Sequence, residues 1–203
     1  KTASRVLQET LPKGEKPWQI LTADDTVRSI HGVSYTRLWN DELLTVLQEF
    51  ASDFHPPPPG VGGGTGLYCG EQDLFCFLID PAGWTEIDGE AFAPGMFVWN
   101  SEVGRRTLGI QTFWFEAVCG NHLVWDAVEV VEFSRKHTAN VHNGLDEIRA
   151  IVTDLVRKRG ERQDGFARVV RKAMRETLGD GADEALARVL EAGIPTRLAQ
   201  EAI

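Results

Sequence analysis

The apolar residues of this 203-residue chain change their spacing once, near His142, and that change sets the fold class. Upstream they fall in short β-favouring runs. Residues 26–35 alternate around Val27, Ile30 and Val33, and residues 67–80 are rich in aromatic and other β-favouring side chains, as in a hairpin or a long strand. Residues 96–100 and 106–118 read as further strands, the second with Thr107, Ile110, Thr112, Phe113 and Phe115 suited to a pleated face. β-like character continues over 123–133. Downstream, Leu145, Ile148, Ile151, Val152 and Leu155 recur at three- and four-residue steps, as do Phe166, Val169, Val170, Ala173 and Met174. A last amphipathic stretch over 182–192 stops at Gly193, with Pro195 just beyond. One helix is expected early, over 41–54, with Asn40 as its N-cap and Leu43, Leu44, Leu47 and Phe50 on one face. The pattern predicts an α+β protein: a central, mostly antiparallel sheet with an early helix and C-terminal helices.

Three segments follow from this reading. Residues 1–25, broken by Pro12, Gly14 and Pro17, form a polar arm; residues 26–160 form the α+β domain; residues 161–203 are a helical C-terminal extension. Pro56–Pro59 and the glycine-rich run 60–66 interrupt the domain and read as a linker or flexible hairpin. A phosphate-binding loop is the wrong reading here, because the run precedes a strand and lacks the Lys-Ser/Thr pair.

The chain is long enough to bury one sizeable core, and its longest apolar runs are far short of the ~20 residues that span a bilayer. Those short runs imply no membrane span; no signal-like segment follows Lys1, a start without Met that leaves a trimmed leader open. Three cysteines (Cys69, Cys76, Cys119) make no disulfide framework and suit packed, reduced thiols in a cytoplasm. The net charge of −9 argues against a protein coated by nucleic acid over its whole surface. The charge is uneven, however. Between residues 157 and 175 stand eight bases against two acids, leaving +6 there and −15 on the remainder. Such a segment points to a local anionic partner.

Three short motifs stand together in the middle: Val98-Trp-Asn-Ser-Glu-Val-Gly104, Thr107-Leu-Gly-Ile110 and Phe115-Glu-Ala-Val-Cys-Gly-Asn121. In this order they resemble the phage/plasmid-like family catalogued as domain of unknown function 932. Arg28-Ser-Ile-His-Gly-Val-Ser-Tyr35 is similar to an earlier element of that family, and Arg135-Lys-His137 with His142 to a later one. The resemblance spans roughly residues 26–160. It departs at Gly120, where Thr or Ser is usual, and at His122, where Gly is common. It implies a setting in phages, plasmids and mobile elements, and no defined reaction.

Asn100, Ser101 and Glu102 admit two readings. Glu102 is a general base or metal ligand flanked by hydrogen-bond donors, or the trio is a turn in which Glu102 balances Arg105 or Arg106 and Gly104 supplies an unusual backbone angle. Cys119 with His122 has the outline of a nucleophile and base, yet it ends an apolar run and suits a packed thiol. Cys119, His122, His137 and His142 only superficially match zinc spacing, so no metal and no cofactor are implied. An enzyme reading, hydrolase or nucleotide-modifying, would rest on Glu102, Asn121 and His137. A nucleic-acid reading rests on Arg105 and Arg106 in the turn and on Arg157, Lys158, Arg159, Arg168, Arg171, Lys172 and Arg175 as a phosphate-tracking strip. The segment from 157 to 175 is expected to break at Gly160–Gly165. Trp84, Trp99, Trp114 and Trp125 lie near the sheet, where outward-facing rings could stack on unpaired bases. The preferred expectation is a nucleic-acid-binding protein of phage/plasmid type acting on single-stranded DNA or RNA, by binding or annealing, and forming homo-oligomers. A third reading is an interaction module whose acidic bulk engages a basic host protein.

Overall fold

Alternation gives each central strand two usable faces, and the chain fills both with apolar side chains. The computed structural model describes residues 2–10, 16–58, 66–116, 123–124 and 131–197. In chain order the elements are α1 (Thr2–Thr10), β1 (Trp18–Ala23), β2 (Thr26–Gly32), α2 (Asn40–Phe50), β3 (Leu67–Cys69), β4 (Leu74–Ile79), β5 (Thr85–Ile87), β6 (Glu90–Asn100), β7 (Leu108–Glu116), β8 (Leu123–Val124), β9 (Glu132–Arg135), α3 (Asn143–Arg157), α4 (Arg159–Arg175) and α5 (Ala182–Glu191). The β1–β2 hairpin stands apart from a seven-stranded antiparallel sheet with the path β3-β4-β6-β7-β8, β5 joining β6 and β9 joining β7. The architecture is α+β, with an early helix and C-terminal helices.

One sheet face is covered by helices. Leu74 and Cys76 of β4, Met96 and Val98 of β6, and Leu108 and Ile110 of β7 pack with Leu43 and Leu47 of α2 and Ile148, Val152 and Leu155 of α3. Each such side chain contributes about 1.5–3 kcal/mol of burial. At the far end of the same face α4 is held by Phe166, whose ring stacks on Trp114 at 4.1 Å between centroids. The opposite face carries Phe75 and Phe77 of β4, Phe97 and Trp99 of β6, and Phe113 and Phe115 of β7.

Four expectations are corrected. The polar arm contains a helix, α1, and a strand, β1, paired to β2 across a Asp24–Asp25 turn whose two residues have positive φ. The strand expected over 96–100 begins at Glu90 and runs through Pro94-Gly95. Asp80 N donates to Pro94 O at 2.8 Å, and Pro94 has no N–H to return the bond, so the β4–β6 ladder stops there. The early helix ends at Phe50, four residues short, although Phe54 stays buried. Finally, α4 passes through Gly160 and Gly165 without a break. A helical glycine costs only about 1 kcal/mol, and contacts of Arg159, Gln163 and Phe166 with the sheet region outweigh it. The domain boundary expected after residue 160 therefore falls within this packed helix. The glycines at 60–65 lie outside the described residues, and among those described no helix is long and apolar enough to cross a membrane.

Candidate nucleic-acid interface

The Asn100–Gly104 turn joins β6 to β7, and its Asn, Ser and Glu side chains are each tied to a neighbouring segment. Asn100 is fully buried; its amide nitrogen donates to Leu38 O at 3.0 Å and to Asn40 Oδ1 at 2.9 Å. Ser101 Oγ donates to Gln72 O at 2.5 Å and accepts from Arg105 N at 3.1 Å. Glu102 Oε1 accepts from Asn40 N at 2.8 Å, which places a carboxylate at the positive end of α2. Asn40 was the expected N-cap. It is instead the first helical residue, and the cap comes from Glu102, 62 positions away. Gly104 has φ +71°, and a Cβ there would meet His31 and Tyr35 at under 3 Å, so the position excludes other side chains twice over.

The segment leading into α2 is fastened to the same turn. Tyr35 Oη donates to Glu102 O at 3.1 Å, Arg37 donates to the same carbonyl, and His31 Nε2 lies 3.0 Å from Val103 O. Tyr35 is sandwiched between His31 (3.8 Å) and His137 (5.3 Å). Tyr35 thus touches both candidates, its hydroxyl meeting the Glu102 backbone carbonyl and its ring stacking with His137, while the Glu102 carboxylate turns to Asn40. His137 is buried, with Nδ1 3.3 Å from Thr36 O. Burial pushes its pKa down, against the opposing pull of the Thr36 and Arg106 backbone, and Arg37 and His31 add to the depression. A neutral imidazole bonded to backbone is a packing element in this setting. Asn121, with Cys119 and His122, lies outside the described residues. Burial raises the Cys76 thiol to about 11, which makes it inert at neutral pH.

The expected basic set separates into four groups. Arg105 and Arg106 are half-exposed at one end of β4, each 3.5 Å from Asp73 Oδ2; Asp73, not Glu102, is their acidic partner. Arg159 is at the other end of β4, with Nε 2.5 Å from the buried Asp80 carboxylate and Nη2 3.2 Å from Asp53. The hydrogen bond to Asp80, more than any other contact, raises its pKa. Arg157 and Lys158 share Asp154, whose pKa these two cations lower, the Lys158 hydrogen bond most. The remaining four, Arg168, Arg171, Lys172 and Arg175, lie on the solvent side of α4, opposite Phe166 and Ala167. The six residues of β4 separate Asp73 from Asp80, seven steps or roughly 23 Å at ~3.3 Å per step, so the Arg105–Arg106 pair and α4 do not form one strip.

Sequence reading missed two things here. Asp73 and Asp80 carry no local sign of their partners: Arg105 and Arg106 lie 32 and 33 positions from Asp73, and Arg159 lies 79 from Asp80. The outward aromatic row on the sheet is encoded by plain alternation in β4 and β6, but only the cross-strand register shows that the rings meet. Trp114 is core, Trp84 and Trp99 are partly exposed, and Trp125 lies outside the described residues. Among the described residues no group of three His, Cys, Asp or Glu side chains is placed to hold a metal. No family model, curated protein or solved structure matches the chain.

Proposed function

We propose that this chain is a nucleic-acid-binding protein of phage and plasmid type, and that it holds a single strand of DNA or RNA through its phosphates. The observation that carries this reading is the outer face of α4. Arg168, Arg171, Lys172 and Arg175 are spaced i, i+3, i+4 and i+7, so they rise along one side of the helix, and all four are exposed. Lys172 has an exposed partner in Glu176 at 3.6 Å; among the described residues Arg171 and Arg175 have no ion pair. An acidic protein that keeps a concentrated cationic stripe can bind a polyanion locally while its bulk repels non-specific coating. The resemblance to phage/plasmid-like proteins supports the same reading. The enzyme alternative has no comparable observation in its favour, since Glu102 and His137 are both bonded to backbone.

The test is fluorescence anisotropy with a labelled 20-nucleotide single strand across a salt series. Each phosphate contact on a single strand contributes about −0.7 to the slope of log affinity against log salt. A variant carrying Gln at all four α4 positions should bind weakly and with a flattened slope. Absence of binding by the unaltered protein at low salt would rule the reading out.

A further inference from the structure

The exposed end of the second sheet face has a geometry that phosphate contact alone does not explain. Tyr68 of β3, Phe75 of β4 and Trp99 of β6 are direct cross-strand partners, so three aromatic rings stand in one row on adjacent strands. Phe97 joins them from the next row. Ring centroids are 6.1 Å apart for Tyr68 and Phe75, 5.4 Å for Phe75 and Phe97, and 5.8 Å for Phe97 and Trp99. None of the four is fully buried, and Tyr68 is 57% exposed. The cross-strand partner of Trp99 on β7 is Gly109, where an added Cβ would stand 2.2 Å from the indole ring. The indole therefore lies flat against the sheet over a residue without a side chain, and Trp99 Nε1 is held by Thr107 Oγ1 at 3.3 Å.

A row of rings alone would fit any apolar partner. Its border selects one. Arg106 places its guanidinium over Phe75, 5.0 Å from the ring centroid, with Arg105 beside it. Two guanidinium groups there face the single Asp73 carboxylate, and the nearby Arg28 and Glu71 pair with each other. The edge of the aromatic row thus keeps a net positive charge. Flat rings next to cations match the two halves of a nucleotide: a base to stack and a phosphate to neutralise.

We propose that this face is a base-stacking site for unpaired nucleotides, with Tyr68 and Trp99 receiving bases and Arg105 and Arg106 their phosphates. The site is separate from α4, which packs on the opposite sheet face and near the other end of β4. The inference rests on the nucleic-acid reading and adds a requirement that α4 does not impose: the ligand must present bases that are not paired. Duplex DNA, whose bases are already stacked inside the helix, satisfies α4 and not this face.

Anisotropy with four labelled 20-mers tests it: oligo-dT, oligo-rU, a fully abasic strand with the same phosphates, and a duplex. The expected order is oligo-dT or oligo-rU well above the abasic strand and the duplex, the first two showing whether DNA or RNA is preferred. Tyr68→Ala, chosen because Tyr68 is mostly exposed and its loss leaves the fold intact, should weaken oligo-dT binding about tenfold and leave the abasic strand unchanged. Trp99→Leu, with folding checked by circular dichroism, should act in the same direction. Equal affinity for oligo-dT and the abasic strand, or no effect of Tyr68→Ala, overturns the stacking site while leaving the α4 reading intact. Absence of binding to every strand overturns both.

Discussion

The Asn100–Gly104 turn and the outer face of α4 are both dense in polar side chains, and they hold them for opposite reasons. In the turn the side chains face inward, each with at least one named partner: Asn100 Nδ2 to Leu38 and Asn40, Ser101 Oγ to Gln72 and Glu102 Oε1 to the head of α2. On the outer face of α4, Arg168, Arg171, Lys172 and Arg175 face water, whereas Arg162 of the same helix is buried; Arg171 has no ion pair among the described residues. The turn contains the residues that look most like a motif; α4 has only composition. The difference teaches that a recognisable polar motif in this chain marks a fastening point, whereas the exposed surplus of charge marks the surface left over for a partner. Arg159 sharpens the contrast. It belongs to α4, yet it behaves like the turn, because it reaches Asp80 at the end of β4.

Substitutions rank the two regions. The largest loss of stability is expected at Arg159→Ala. Asp80 would stay buried without its main counter-charge, a situation that costs about 3 kcal/mol when the pair is well enclosed, and chemical denaturation would read it directly. If Arg159→Ala unfolds at the same denaturant concentration as the parent, the inward group of cations is no different from the outward one. Glu102→Ala is the intermediate case. It removes the acceptor at the head of α2 and should cost about 1 kcal/mol, while Glu102→Gln, which keeps an oxygen there, should lose less. Equal losses for Ala and Gln would mean that the carboxylate charge, and not the cap geometry, is what α2 needs.

Periodicity carried most of the fold into view. The alternation in β4 and β7 and the three- and four-residue steps of α3 and α4 lie where the packed faces lie, because each reflects a face that must leave water. What local reading could not reach was long-range. Pro94-Gly95 ordinarily ends a strand, but here the neighbouring ladder stops at Pro94 and β6 does not. Gly160 and Gly165 ordinarily weaken a helix, but Phe166 and Arg159 anchor it on the sheet. The candidate site divides the same way. The α4 cations were legible as a charge run. The assignment of Arg159 to Asp80, of Arg105 and Arg106 to Asp73, and of Glu102 to Asn40 depended on segments tens of residues apart, with no local mark in the sequence.

The smallest effect on stability belongs to Arg171→Ala, and it is the one that separates the two regions most cleanly. Arg171 points away from Phe166 and has no ion pair among the described residues, so its removal leaves no buried charge and no unsatisfied group. Its effect on folding should stay within about 0.5 kcal/mol, the usual range for an exposed position. Alanine is also the better helix former, which offsets part of any loss. Binding should respond differently. If Arg171 neutralises one phosphate, the salt slope for a single strand should fall by about 0.7 while the denaturation curve stays where it was. Arg159→Ala should give the reverse, a shifted denaturation curve with an unchanged slope once folded protein is compared with folded protein. Stability and salt slope moving together in both variants would mean that α4 has no outward function distinct from its packing.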